Sequence, residues 1–358
     1  MKKIAIVLPD LRGGGAERMH INLASEWIAL GYQVDFILLS QTGELLKLVP
    51  EKSRIISLDC KNIFKACPRL IKVFKEEAYD IVIGVMWPIS IITILAGKCV
   101  DTKIVVSDHN TLSKSYKALN KLKFTFLRLS VRFIYPLANL RRVVSKGIGE
   151  DLANLSGLDK QSFEVVYNPA FKDDGVSTKK LCSNNSKKLK IIAVGSLKHQ
   201  KNFALLIDAV AGLPSNFPYE LSILGEGSLR KELESKIDAL ALNEKVKLLG
   251  FVKDPKPFYE QSDLFILSSD YEGFGNVIVE AMSLGCQVIS SDCKSGPREI
   301  LSDGEYGQLF PVGDKKALTD LILSYQQNVI SIDKLYQRAK CFSAKHIAKV
   351  YIEKILKA

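Results

Sequence analysis

A chain of 358 residues with 47% hydrophobic and 25% charged residues is an ordinary folded protein, long enough for two domains with separate cores and too well mixed for disorder or a solenoid repeat. Seven cysteines, at positions 60, 67, 99, 182, 286, 293 and 341, include no Cys-x-x-Cys pair, and the four histidines are scattered; a disulfide framework and a zinc site are excluded and a reducing cytoplasm fits best. The net charge of +11 bears on partners only through where it is concentrated.

The N-terminus, MKKIAIVLPD, has an apolar run of five residues that Pro9 and Asp10 end, too short for a signal peptide, so it reads as a first buried strand. DLRGGGAERMHINLA follows, in which Gly13, Gly14 and Gly15 open a helix. Backbone N–H groups at a helix start cradle phosphate, and glycine lets a ligand come close. The dinucleotide fingerprint G-x-G-x-x-G fails, because Arg18 stands at its sixth position, and QVDFILLS carries its one acid, Asp35, near its start and not its end; a nicotinamide dehydrogenase is disfavoured. SRIISLD gives a third strand. The stretch Ile81 to Gly97, IVIGVMWPISIITILAG, has no charge and sits at the short end of the membrane-spanning range, but Pro88 divides it. Strand IVIGV, a loop and helix ISIITILAGK are the better reading.

KIVVSDH ends in SDHN. A histidine at the carboxyl end of a strand, His109, can bond a ligand hydroxyl or carry a proton, and alone it is more often a satisfied structural histidine. From Thr111 to Gly149 stand nine basic residues and no acid: Lys114, Lys117, Lys121, Lys123, Arg128, Arg132, Arg141, Arg142 and Lys146. Phe124, Phe126, Leu127, Leu129, Phe133, Ile134 and Tyr135 are interleaved with them. Such a basic amphipathic segment suits anionic lipid headgroups with its apolar side in the interface; nucleic-acid phosphates and a solvated helix with an apolar core face are the alternatives. RRVVSKG and FEVVYNP complete the strands of the first half, and their alternation with helices predicts a parallel, doubly wound sheet.

The polar stretch KDDGVSTKKLCSNNSKK reads as a linker. Beyond it the rhythm restarts with LKIIAVGS, YELSILGEG, KVKLLGFV, DLFILSS and QVISSD as strands, with NFALLIDAVAGL and SLRKELESKIDALAL as helices between them. Two such domains in tandem would face each other across a cleft at the carboxyl ends of their strands. In VGSLKHQKN, Lys201 is a point charge placed for a diphosphate, or a surface lysine at a helix start. LGEGSLRKELE sets Gly225 and Gly227 around Glu226 in a strand-to-helix turn. EGFGNVIVEAMSLGCQVISSD brackets a turn and helix with Glu272 and Glu280. A continuous helix would hold these acids about 12 Å apart at about 1.5 Å per residue, beyond the roughly 5 to 9.5 Å of paired glycosidase carboxylates. They suit the two ends of an extended ligand, with the N–H groups of Phe274, Gly275 and Asn276 aimed at phosphate between them.

The series GGGAER, VGSLKHQKN, LGEGSLRKELE, EGFGNVIVEA with its Glu-x7-Glu spacing, and SGPREIL resembles the retaining glycosyltransferases of family 4 over nearly the whole chain. The resemblance implies a GT-B fold: an acceptor-binding Rossmann-like domain over 1–170, a donor-binding one over 171–342, and a helix from SAKHIAKVYIEKILKA over 343–358 that returns to the first. It implies a UDP-sugar donor, no cofactor and no metal. Carried over, Glu280 would bind the ribose hydroxyls and Glu272 the sugar, with Gly273, Phe274, Gly275 and Asn276 around the donor. Lys201 and the N–H of Gly15 would stabilise the leaving diphosphate, Gly225 and Gly227 would line the donor, backbone at Val252 would pair with the base, and His109 would touch the sugar. The family commonly has arginine where Ser196 stands, so that either Lys198 or Arg298 compensates or the diphosphate is held less tightly. No carboxylate fills a nucleophile's place, so same-face transfer is expected, driven by stabilisation of departing UDP.

SDHN, EGFGNVIVEA and SGPREIL together resemble members that add N-acetylgalactosamine, or another hexose or N-acetylhexosamine, to lipid-linked oligosaccharides of O-antigen, capsule or protein glycans. That implies a peripheral enzyme on the inner face of the cytoplasmic membrane, held to anionic lipid by 111–149, with no nucleic-acid partner. A UDP-sugar epimerase of the same fold and a silent nucleotide-sugar binder are the other readings.

Overall fold

The computed structural model describes the chain except for residues 1, 13, 61, 117–119 and 174–187 and the side chain of residue 64. Gly13, Lys117 and nearly all of the polar stretch read as a linker lie outside the described residues. The chain divides into two units, Met1–Lys172 with Ser343–Ala358, and Asp173–Phe342.

The first unit is built on seven parallel strands: β1 (Lys3–Leu8), β2 (Gln33–Leu38), β3 (Ile55–Ser57), β4 (Ile81–Val85), β5 (Lys103–Asp108), β6 (Leu140–Val143) and β7 (Glu164–Val165). Their order is β3-β2-β1-β4-β5-β6-β7. The order reverses between β1 and β4, the switch point at which doubly wound sheets place their ligand sites. Buried on both faces, β4 reads as an unbroken apolar run, Ile81 to Val85. The helix Ile89–Gly97 behind it is buried nearly all round, and its two hydroxyls are absorbed locally: Ser90 Oγ donates to the Gly84 carbonyl and Thr93 Oγ1 to that of Ile89. At nine residues it is too short to span a bilayer, and no helix among the described residues is long and apolar enough to do so.

The helix Ala344–Lys357 belongs to this unit. Ser343 caps it by accepting from the His346 N–H, and Trp27 Nε1 donates to its Ala348 carbonyl at 3.1 Å. Ile347, Tyr351, Ile352 and Ile355 complete the core around Trp27, each burial contributing about 1.5–3 kcal/mol.

The second unit carries six parallel strands: β8 (Leu189–Val194), β9 (Tyr219–Leu224), β10 (Val246–Gly250), β11 (Leu264–Leu267), β12 (Gln287–Ser291) and β13 (Gln308–Phe310), in the order β10-β9-β8-β11-β12-β13. Its switch point lies between β8 and β11. The edge strand β13 is absent from the sequence reading: three residues, QLF, are too few for alternation to show. Together the sheets are two doubly wound, parallel α/β units.

Candidate active site

In the second unit the loops after β8 and β11 are bolted together. Asn202, left-handed at φ +46°, caps the helix Phe203–Ala211 by accepting from the Leu205 N–H, while its Nδ2 donates to Asp270 Oδ1 at 2.8 Å. The Asp270 N–H donates to the Gln200 carbonyl and Ser268 Oγ to that of Lys201. This clamp brings Lys201 against Glu272: Nζ donates to Oε1 at 2.6 Å, and Ser269 Oγ donates to the same oxygen at 2.7 Å. The side chains are 16% and 8% exposed, so the pair sits in a medium where charge interactions are strong. One oxygen of Glu272 is thus fixed by two donors, a poor arrangement for a nucleophile and a good one for a carboxylate that holds hydroxyls with its other oxygen. Cys293 lies near the pair, its thiol pushed up to about 12 by burial and by the Glu272 charge, so it stays protonated and unreactive.

The neighbouring loops pack backbone on backbone. The Leu197 N–H donates to the Glu226 carbonyl, the Leu229 N–H to the Leu197 carbonyl, and the Gly225 N–H to the Gly250 carbonyl at 2.7 Å. A Cβ at Gly225, whose φ is +144°, would stand 1.9 Å from the Gly195 carbonyl oxygen, and one at Gly227 would stand 2.3 Å from that of Leu197. These glycines are needed for loops to close on each other, a structural demand that goes with the strand-to-helix turn read from the sequence. Val252 follows in the loop beyond Gly250, half-buried beside the exposed Phe251.

The acids Glu272 and Glu280 are not joined by continuous helix. Helix begins at Asn276, with Gly275 left-handed at φ +100°, so Glu272, Gly273 and Phe274 lie in the preceding turn and the axial 12 Å does not apply. Glu280, half-buried in the second turn, accepts from Tyr259 OH at 3.2 Å. Ser196 is exposed, as is Lys198. Arg298 is engaged elsewhere: its Nε donates to Asp292 Oδ1 at 2.9 Å and its Nη1 to Asp303 Oδ1 at 3.3 Å.

In the first unit His109 follows β5 and is buried at 7% exposure. It joins a polar cluster that sequence reasoning missed. Arg142, on β6 and fully buried, donates to Ser107 Oγ at 2.9 Å, to the carbonyls of Val166 and Tyr167, and to Asn168 Oδ1, and its guanidinium lies 5.0 Å from the Tyr351 ring centroid. Burial lowers Arg142 to about 10, leaving it charged at neutral pH. The His20 ring lies 5.3 Å from that of His109, edge to face. Burial, reinforced by the Arg142 charge, holds His20 near 3 and His109 well below the usual histidine range, so both are neutral. Asp108 accepts from Tyr135 OH at 3.2 Å, and burial raises it to about 7. Gly15, the first residue of its helix, has open space where a Cβ would be, room for a ligand to approach.

The basic stretch 111–149 divides in two. Arg141 and Arg142 are not surface charges: Arg141 donates to the Ser162 and Ala138 carbonyls and Arg142 is the buried centre above, a correction to the sequence reading. Among the described residues the exposed charge lies on Lys114, on Lys146 and on the helix Lys121–Ile134, with Lys121, Lys123, Arg128 and Arg132. That helix buries Leu127, Ser130 and Val131, while Leu122 (82% exposed), Phe126, Leu129 and Phe133 (64% exposed) form a second apolar stripe facing outward at spacings of four, three and four.

Residues 13–170 match the family model described as Glycosyltransferase Family 4, and residues 179–342 the one described as Glycosyl transferases group 1. An N-acetylgalactosamine-N,N'-diacetylbacillosaminyl-diphospho-undecaprenol 4-alpha-N-acetylgalactosaminyltransferase of Campylobacter jejuni is 30% identical, over 99% of this chain and 100% of its own. A second Campylobacter jejuni alpha-1,4-N-acetyl-D-galactosaminyltransferase, named for a polyprenol-linked substrate, is 27% identical over 99% and 98%. Among solved structures, the lipopolysaccharide outer core galactosyltransferase WaaB superposes with a TM-score of 0.78 at 21% identity, over 99% of both chains. An Anabaena protein crystallised with UDP-glucose superposes at 0.79 and 20%, over the whole of both. With two doubly wound units, a buried Lys201–Glu272 pair at the switch of the second, and matches that run through both, the chain belongs to the family 4 glycosyltransferases and has the GT-B fold.

Proposed function

We propose that this glycosyltransferase moves a sugar from a UDP-sugar to a lipid-linked oligosaccharide with retention of anomeric configuration and without a metal ion. The observation that carries the reading is the Lys201–Glu272 pair, a cation and a carboxylate held by one loop clamp at the carboxyl end of the sheet. In it Lys201 stabilises the charge that develops on the departing diphosphate, and Glu272 holds the sugar's hydroxyls. Glu280 takes the ribose hydroxyls, and the backbone of Gly273, Phe274, Gly275, Asn276, Gly225, Gly227 and Val252 encloses the nucleotide beside Ser196. His109 contacts the donor sugar. Transfer proceeds on one face, a phosphate oxygen of UDP accepting the proton of the acceptor hydroxyl.

The donor is N-acetylgalactosamine or a related hexose or N-acetylhexosamine, and the acceptor is a polyprenyl-diphosphate glycan; names of the Campylobacter relatives support both. An acceptor in the membrane explains the helix Lys121–Ile134, whose Leu122, Phe126, Leu129 and Phe133 would enter the interface. Lys114, Lys121, Lys123, Arg128 and Arg132 would meet anionic headgroups at the cytoplasmic face, each cation near the surface contributing about 1 kcal/mol. Flotation with vesicles of varied anionic content tests this, and binding that ignores lipid charge would remove it.

The test of function is UDP release from a panel of UDP-sugars, with and without lipid extract, in EDTA throughout. Acceptor-dependent release from one donor is expected. Sugar released or epimerised without acceptor would favour the epimerase, and donor binding without any release would favour the silent binder.

A further inference from the structure

We propose that Asn202 is a positioning residue for sugar transfer: its side-chain amide, through Asp270, holds the loop of Lys201 and the loop of Glu272 in register. Asn202 follows Lys201 directly, and Asp270 stands two residues before Glu272. Their bond, Nδ2 to Oδ1 at 2.8 Å, therefore crosses between the loops right beside both members of the ion pair. Both ends of the amide are committed. The Leu205 N–H can only donate and takes Oδ1 at 3.2 Å, whereas the Asp270 carboxylate accepts and takes Nδ2. The amide is thus unable to turn over without losing both bonds.

The other ties between these loops end on main chain. The Asp270 N–H donates to the Gln200 carbonyl at 2.9 Å, Ser268 Oγ to the Lys201 carbonyl at 2.8 Å, and Gln200 Nε2 to the Tyr271 carbonyl at 2.8 Å. The stem of Lys201 rests on Gly195, where a Cβ would stand 3.1 Å from Lys201 Cε. Lysine and carboxylate are in this way brought together by their loops as well as by their charges. The Asn202–Asp270 bond joins two side chains, so it can be broken or reversed with the main chain left as it is. Asn202 has a second task, capping the helix Phe203–Ala211 from a left-handed conformation at φ +46°. Aspartate does that task as well as asparagine: it is an equal N-cap, it tolerates the left-handed region, and its charge suits a helix N-terminus. It fails in the clamp alone, where it sets one carboxylate against another. A cap and a clamp therefore answer differently to Asn202→Asp.

The consequence for transfer rests on the sugar-transfer reading above, whereas the coupling of the two loops does not. Asn202→Asp, Asp270→Asn and the double variant test both, assayed with UDP-sugar and lipid extract. Asn202→Asp is expected to lower kcat about tenfold or more at saturating donor, with KM for donor changed less than about threefold. Asp270→Asn should cost less, since its side-chain carbonyl still accepts from Asn202 Nδ2. The double variant should return to within about threefold of wild type, because the new carboxylate then accepts from the new amide and the bond is remade in reverse. Wild-type kcat in Asn202→Asp would leave Asn202 a cap alone and overturn the proposal, as would a double variant no better than Asn202→Asp. Independently of turnover, the calorimetric double-mutant cycle of Lys201→Ala and Glu272→Ala should show, in the Asn202→Asp background, less than about half its wild-type coupling. Undiminished coupling would also overturn the proposal. Should Asn202→Asp fail to fold, Asn202→Gly, which keeps the left-handed conformation and removes the bond, replaces it in the cycle and in the kcat measurement, with the same losses expected. Undiminished coupling in an enzyme that transfers sugar would sink this inference alone; diminished coupling in a protein that transfers nothing would sink the functional reading and leave the loops coupled.

Discussion

Replacing Lys201 with alanine separates what the ion pair does for the fold from what it does for the reaction. The substitution leaves the Glu272 carboxylate, 8% exposed, with Ser269 Oγ as the remaining donor to Oε1. Removing one partner of a fully buried pair costs about 3–5 kcal/mol; the retained serine and the residual exposure reduce that to about 2–3 kcal/mol here. In a unit of this size each kcal/mol moves the melting temperature by about 2–4 °C, so calorimetry of the unliganded protein should show a fall of roughly 4–12 °C. Removing Glu272 as well should restore part of the loss, because the orphaned charge is gone, and the double-mutant cycle should report a coupling of about 2 kcal/mol. At saturating donor, kcat of Lys201→Ala should drop about 100-fold or more, while KM for donor changes far less. An additive cycle would refute the pair as a coupled unit, and an unchanged kcat would refute Lys201 as the group that stabilises departing UDP.

Glu280→Ala should weaken UDP binding by calorimetry about tenfold or more while kcat holds, and Tyr259→Phe, which removes only the hydroxyl that Glu280 accepts from, should leave affinity near wild type; the reverse order would move the ribose contact elsewhere. Asp108 keeps its proton to about pH 7 when folded, against an ordinary 3.8, so the unfolded chain binds fewer protons between these values and stability falls as pH rises from about 4 to 7. Asp108→Asn should therefore gain on wild type across that window, by at most roughly 4 kcal/mol for a shift of about three units, and parallel stability–pH curves would contradict it. Gly225→Ala should destabilise by about 2 kcal/mol or more in urea titration, since its Cβ would stand 1.9 Å from the Gly195 carbonyl oxygen; a neutral effect would mean the loops can part freely.

What the sequence revealed and what it hid follow from the range of the interactions involved. Strands such as IAIVL and IVIGV declare themselves because burial on both faces demands unbroken apolar runs, and the glycine turn after β9 declares itself because a Cβ at Gly225 or Gly227 would meet a carbonyl oxygen. The Lys201–Glu272 pair spans 71 positions, so the motifs named both residues while only the fold showed that they hold each other. His20 stands in the helix that the first glycine loop opens, and its neighbour in space is 89 positions away. Arg142 was counted as surface charge because composition carries no information on burial. A signal was there: Arg141 and Arg142 are adjacent in a strand, and a period of two sends neighbours to opposite faces, so one of them had to point inward. The outward stripe on Lys121–Ile134 was legible as composition, but that Leu122, Phe126, Leu129 and Phe133 face away from the core depends on Leu127 and Val131 facing it.

The central claim, same-face transfer from a UDP-sugar, is tested most directly by the anomeric configuration of the first product. With the donor found by UDP release, proton NMR of the glycan formed early in the reaction should show the α configuration of an α-linked donor kept in the new bond, in EDTA as in its absence. A product of inverted, β configuration would contradict the account.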